Sequence, residues 1–217
     1  MAINRQKISQ MTPKGSELDP TDLMEVSVDT GSGYETRSIT GQQIIAAGSY
    51  GLYTQTASST PVTNTTTETS LLDGGLGTLT VPANGFKVGD SFHAILTGHV
   101  SSVNNHTLRI RIKTDGIVLA DTGVITMAGA TGRHWKLEVY FTVRTLGASG
   151  VASIAAGGTF MYTKNASNNF EGTNFSTETI TGFDTTISNT LAITAQWGTA
   201  NTGDSIYSEI FTLNKTF

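Results

Sequence analysis

NTLAITAQWGTANTGDSIYSEIFTLNKTF, Asn189 to Phe217, reads as two strands joined by a polar turn. Leu191, Ile193, Ala195 and Trp197 alternate with polar or small residues. That period of two places alternate side chains on opposite faces of a strand. Gly198 to Asp204 is built from Gly, Thr, Ala, Asn and Asp, most of which favour turns. The second strand runs to within a few residues of Phe217, so the sheet is expected to need its last strand for completion. No reactive cluster sits in the stretch. It speaks of architecture, and points to a structural or binding protein rather than an enzyme.

The same alternation recurs upstream. In HWKLEVYFTVRTL, His134 to Leu146, the residues Trp135, Leu137, Val139, Phe141 and Val143 share one face. His134, Lys136, Glu138, Tyr140, Thr142 and Arg144 take the other. A helix would scatter those apolar groups around its circumference. Thr107–Thr114 repeats the pattern, with Leu108, Ile110 and Ile112 inward and Arg109, Arg111 and Lys113 outward. Strands are expected at 50–56, 67–72, 77–81, 91–101, 107–114, 116–121, 133–145, 152–163, 175–181, 190–197 and 205–213. So many short strands with regular turn signals predict an all-β fold, a jelly-roll-like β-sandwich over residues 49–217. Strand order does not follow from such evidence.

Residues 1–48 differ. They hold ten charged residues, Arg5, Lys7, Lys14, Arg37 and six acids, in under a quarter of the length. Leu23 to Val28 and Tyr34 to Ile39 flank the turn cluster Asp29 to Gly33, which predicts a hairpin. Thr40-Gly-Gln-Gln43 has capping-box spacing, and Ile44, Ile45, Ala46 and Gly48 follow as a helix of about two turns with a glycine stop. Neither a helix that short nor a lone hairpin is stable by itself. This hairpin-plus-short-helix arm is therefore expected to dock, through Ile8, Met11, Leu18, Leu23, Ile39, Ile44 and Ile45.

Composition narrows the function classes. Of the 217 residues 14% are charged, and the formal net charge is −4. Thr, Ser, Gly and Asn fill the gap. A nucleic-acid partner calls for a basic face, and this balance does not supply one. No stretch approaches the roughly 18 apolar residues of a membrane span. The chain has no cysteine, which excludes disulfides, thiolate metal sites and cysteine nucleophiles and leans towards cytosolic assembly. Met1 to Gln10 lacks the apolar core of a signal peptide.

Chemistry-bearing residues are few. His93 and His99 fall on one face of one strand but roughly 20 Å apart at about 3.3 Å per residue, too far to share a metal. His106 and His134 sit at strand ends. No metal and no cofactor is expected. Asp115, Asp121, Asp184 and Asp204 lie in or beside turns, where Asp caps the chain. Glu138 stands mid-strand, with Arg109 or Arg111 as expected partner. Nothing resembles the paired acids of a glycosidase, a phosphate loop or a nucleophile elbow. Arg109, Arg111 and Lys113 form a short basic stripe, read as a solvated or intersubunit face. Only Lys164 is basic between Gly147 and Gly203; such a surface suits burial against sister subunits or contact with a polar ligand.

ISQMTPKGSELDPTDLMEVSVDTGSGYETRSITGQQII, Ile8 to Ile45, resembles the N-terminal module of many tailed-phage virion proteins. Asp22-Leu23 opens it, Gly31 to Gly33 forms its turn and Thr40 leads its helix. Asn189 to Phe217 is similar to the closing hairpin of trimeric jelly-roll phage appendage proteins. The two stretches cover about a third of the chain, and neither is catalytic. The resemblance implies a homotrimer in the virion, made in the bacterial host cytoplasm. Its arm would attach to another virion protein of capsid or tail, and its sandwich would project as a head fibre or decoration protein. The alternative is a tail fibre or receptor-binding module. In that case Tyr162, Asn165, Asn168, Asn169 and Phe170, in the Asn-rich segment MYTKNASNNFEGTNF, would contact host glycan from a loop. A depolymerase has phage context alone behind it.

Overall fold

The computed structural model describes residues 23–40, 50–180 and 182–217. They fall into two compact units, within Met1–Gly48 and Ser49–Phe217. The described residues contain no helix.

In the first unit, β1 (Leu23–Asp29) pairs antiparallel with β2 (Tyr34–Thr40). Their turn is closed by Thr30 N donating to Gly33 O and by Gly31 N donating to Asp29 Oδ1, 2.8 Å. The register sets Met24 opposite Ile39, so Met24, Val26, Val28 and Ile39 share one face, and Leu23 lies on the other. The short helix expected after Thr40 lies outside the described residues.

The second unit begins with the short strands β3 (Tyr50–Gln55), β4 (Val62–Thr63), β5 (Thr69–Ser70), β6 (Gly75–Gly77) and β7 (Thr80–Val81). The remaining strands are β8 (Ser91–Ser102), β9 (Thr107–Thr114), β10 (Ile117–Asp121), β11 (Ile125–Thr126), β12 (Ala130–Thr145), β13 (Ser153–Thr163), β14 (Phe170–Ile180), β15 (Asn189–Trp197) and β16 (Ser205–Lys215). An eight-stranded sheet has the order β14-β13-β12-β8-β16-β3-β6, with β4 also on β16. A six-stranded sheet has the order β10-β9-β15-β5, with β11 on β9 and β7 on β15. All pairings are antiparallel. The alternating inward residues of the two sheets pack into one core, with Trp135, Phe160 and Phe211 from one side and Leu108, Ile110, Ile112 and Trp197 from the other.

The chain changes sheet repeatedly. It crosses from β8 to β9, makes the β9–β10 hairpin, returns to β12, runs the β12-β13-β14 meander, and crosses to β15 and back to β16. The β9–β10 turn is Asp115-Gly116, both at positive φ (42° and 86°), the pairing that a two-residue hairpin favours.

Two sequence expectations are corrected by this layout. Asn189–Phe217 forms two strands, but they do not pair with each other. β15 sits in the six-stranded sheet beside β9, and β16 sits in the eight-stranded sheet between β8 and β3. Their turn is a bridge between sheets, long enough to span the core. The strand expected from Phe175 begins at Phe170, because residues Phe170 to Asn174 continue the ladder on β13 despite their glycine and asparagine.

Close packing of β8 on β16 depends on one glycine. β16 carries a bulge between Ser208 and Ile210, opposite Gly98 and Thr97. A Cβ on Gly98 would stand 2.0 Å from Tyr207 O, so no other residue fits there without moving the strand.

Candidate functional site

The arm's expected contact residues divide. Ile8, Met11, Leu18, Ile44 and Ile45 lie outside the described residues. Leu23 is 71% exposed on β1, and Ile39 is half-buried on β2. The hairpin does not bring those two together; it joins Ile39 with Met24, Val26 and Val28 instead. The alternation in Leu23 to Val28 carried that signal.

The segment expected to meet glycan also divides. Tyr162 is not in a loop. It lies on β13, wholly buried, and its hydroxyl accepts from Ala128 N at 2.7 Å. Burial raises the Tyr162 hydroxyl above its ordinary pKa. It follows Phe160 on the inward phase of the strand, which is why it joins the core and cannot reach a sugar. Asn165 is exposed but committed: its Oδ1 accepts from Arg133 Nε at 2.7 Å and from Thr131 N at 3.1 Å. Asn168, at φ 54°, and Asn169 form the exposed turn. Phe170 opens β14 and is 74% exposed. Asn168, Asn169 and Phe170 thus stay together on the surface.

The outer faces of the two sheets differ in chemistry. On the six-stranded sheet, β9 presents Arg109, Arg111 and Lys113. Arg109 Nε donates to Asp121 Oδ1 at 2.9 Å, Arg111 Nη1 to Glu68 Oε2 at 2.8 Å, and Lys113 Nζ to Glu68 Oε1 at 3.1 Å. The Thr194 hydroxyl, donating at 2.6 Å, and then the two cations hold Glu68 below the usual carboxylate range. Burial works against an ionised Asp121, but the Arg109 hydrogen bond and the Gly123 amide outweigh it and lower its pKa. Each cation of the basic stripe is therefore already paired with Asp121 or Glu68.

On the eight-stranded sheet, Glu138 is the hub. Lys136 Nζ donates to it at 2.7 Å, Tyr140 Oη at 2.8 Å, and His93 Nε2 lies 2.8 Å away. Hydrogen bonds from Lys136, then Tyr140 and His93, lower its pKa to about 2. The His93 and Tyr140 rings stack at 4.4 Å, nearly parallel. The expected partners of Glu138, Arg109 and Arg111, lie on the other sheet, so that pairing does not form. Sequence reading could not separate β9 from β12 by sheet. One pair of rows along the strand, His99 stands edge-on to His134, and its Nδ1 lies 3.1 Å from Glu209 Oε2 without making a hydrogen bond.

Two of the four turn acids cap their own turns as expected: Asp121 accepts from Gly123 N and Asp184 from Thr186 N. Asp115 instead accepts from Thr190 N, at the start of β15. Asp204 is wholly buried; it accepts from Val103 N at 2.8 Å, and His106 Nδ1 lies 2.6 Å from its Oδ2. Among the described residues no three His, Asp or Glu side chains converge on a point. An apolar cavity of about 70 Å³ lies between the sheets, lined by Phe86, Phe92, Phe141, Phe183 and Leu191 among others, with no titratable side chain in its wall.

No family model matches the chain, and no curated protein and no solved structure matches it.

Proposed function

We propose that the chain is a non-enzymatic structural protein of a bacteriophage virion, a homotrimer anchored by its arm and exposing its sandwich as a head fibre or decoration protein. The observation that carries the reading is the N-terminal hairpin. Its described residues form one two-stranded hairpin with Leu23 and Met24 exposed, and a two-stranded hairpin is marginal in water by itself. Such a unit gains its stability from a partner surface.

The sandwich fits the reading as a jelly roll. Setting aside the β13–β14 hairpin and the short added strands, one sheet runs β3-β16-β8-β12 and faces β5-β15-β9-β10. The chain visits the two sheets alternately apart from the β9–β10 hairpin, as a doubly wound Greek key does. The resemblance of Ile8–Ile45 and Asn189–Phe217 to virion appendage proteins supplies the phage context. Light scattering of the purified full chain tests the trimer, and immunogold labelling of particles tests the location. A stable monomer, or particles free of label, refutes the proposal.

One observation favours a second reading, a receptor-binding module. Phe170 stands exposed beside Asn168 and Asn169, and an aromatic face next to free amides suits a sugar ring. Purified protein that neither binds host cells nor blocks adsorption removes it.

A further inference from the structure

The two outer faces of the sandwich are not equivalent, and the difference points to one of them as covered. The six-stranded face gathers five full charges on and beside β9: Arg109, Arg111, Lys113, Asp121 and Glu68, all engaged with one another. Such a face is at home in water. The eight-stranded face has another character across β13, β12, β8 and β16. Register aligns Met161, Lys136, Thr97 and Ile210 in one row, Thr159, Glu138, Ile95 and Thr212 in the next, and Gly157, Tyr140, His93 and Asn214 in a third. Those three rows hold two full charges, Lys136 and Glu138, and the two bond to each other; the further row of His134, His99 and Tyr207 adds Glu209 in the β16 bulge. Tyr140 is 54% exposed and Ile210 56%, with Ile95 and Met161 half-buried between the polar neighbours. A paired Lys136–Glu138 ringed by Tyr140, Met161, Ile95 and Ile210 has fewer charges and more aromatic, Met and aliphatic surface than the opposite face, as interfaces do.

We infer that this face of β13, β12, β8 and β16 packs against a neighbouring copy of the same chain. The inference rests on the oligomer proposed above and assigns its contact surface. Size agrees. Four strands at about 4.8 Å spacing, paired over the run Arg133 to Thr142, make a flat rectangle of roughly 600 Å². Two copies then bury about 1,200 Å², above the roughly 1,000 Å² that a specific interface should clear. Charge agrees as well. Glu138 already holds Lys136, Tyr140 and His93, so covering it does not strand its charge, and Glu209 at the end of the patch stays beside His99, 3.1 Å from its Nδ1. In a cyclic trimer the contact is head-to-tail, so this face meets a different patch of the next copy.

The test is sedimentation velocity of the full chain carrying Ile210→Asp, Tyr140→Asp or, as control, Val124→Asp, each checked for folding by circular dichroism. Ile210 and Tyr140 are exposed within one copy, and so is Val124, on the connection between β10 and β11. The expected result is a wild-type oligomer, self-association at least roughly tenfold weaker in I210D and Y140D, and a V124D that assembles as wild type. A wild-type oligomer that both I210D and Y140D leave intact overturns the assigned face but not the oligomer. Equal weakening by V124D also overturns the assignment. A monomeric wild type overturns the oligomer itself, and the face with it.

Discussion

Asp204 is a position where removing one buried carboxyl group should cost the sandwich a large part of its stability. It ends the turn that carries the chain from β15 across the core to β16. Its carboxyl group is wholly buried, accepts from Val103 N at 2.8 Å, and stands 2.6 Å from His106 Nδ1. Its own carbonyl accepts from the Thr63 hydroxyl at 2.6 Å. One residue thus ties the β15–β16 turn to the β8–β9 connection and to β4. Asp204→Ala removes both carboxyl contacts and leaves the Val103 amide and the His106 ring without their acceptor. Hydrogen bonds to charged groups are worth about 1.5–3 kcal/mol each, and a stranded partner adds its own desolvation. The two losses share one group and do not add fully. The expected destabilisation is about 3–5 kcal/mol, a large part of the roughly 5–15 kcal/mol that holds a domain folded. At this chain length that is a fall in melting temperature on the order of 10 °C. Asp204→Asn keeps an acceptor for Val103 and should lose only about 1–2 kcal/mol. Urea unfolding followed by circular dichroism measures both. A D204A protein within about 1 kcal/mol of wild type refutes the reasoning, as does a D204N protein as unstable as D204A.

Four further outcomes are expected. Gly98→Ala should destabilise by about 3 kcal/mol or more or shift the β8–β16 register, because its methyl meets the Tyr207 carbonyl; thermal melts read it. Tyr162→Phe should cost about 1–3 kcal/mol by stranding the Ala128 amide, with no change in any cell-binding assay. Glu138 has a folded pKa lowered to about 2 from 4.5, so the stability it contributes is complete above about pH 4.5 and is lost as pH falls towards 2. Glu138→Gln should flatten the acid limb of the stability profile in that window, and carboxyl NMR titration of the wild type should place the midpoint near the lower end. Arg109→Ala should cost under about 1 kcal/mol in urea unfolding, with a salt-dependent difference, since its ion pair with Asp121 stands partly open to solvent.

The period-two stretches determined by themselves that this chain is β-structured, and they also determined which side chains meet the core. Trp135, Leu137, Val139, Phe141 and Val143 are all buried, as are Leu108, Ile110 and Ile112. Side-chain alternation is a local property of an extended backbone, so it is legible without any partner strand. The caps of Asp121 and Asp184 were legible for the same reason, because an Asx cap spans two or three residues. The tertiary structure alone decided pairing. That β15 and β16 belong to different sheets, that Glu138 meets His93 rather than Arg109 across strands, and that Asp204 grips a loop a hundred residues away all depend on which strands become neighbours. Tyr162 shows the boundary between the two kinds of knowledge. Its Asn-rich surroundings suggested a surface loop, but the β13–β12 ladder runs on to Trp135 and Tyr162, and the phase of that ladder turns the ring inward. Neighbours distant in sequence set these outcomes, because hydrogen-bonded ladders fix register and burial together, and a ladder has no local code for its partner.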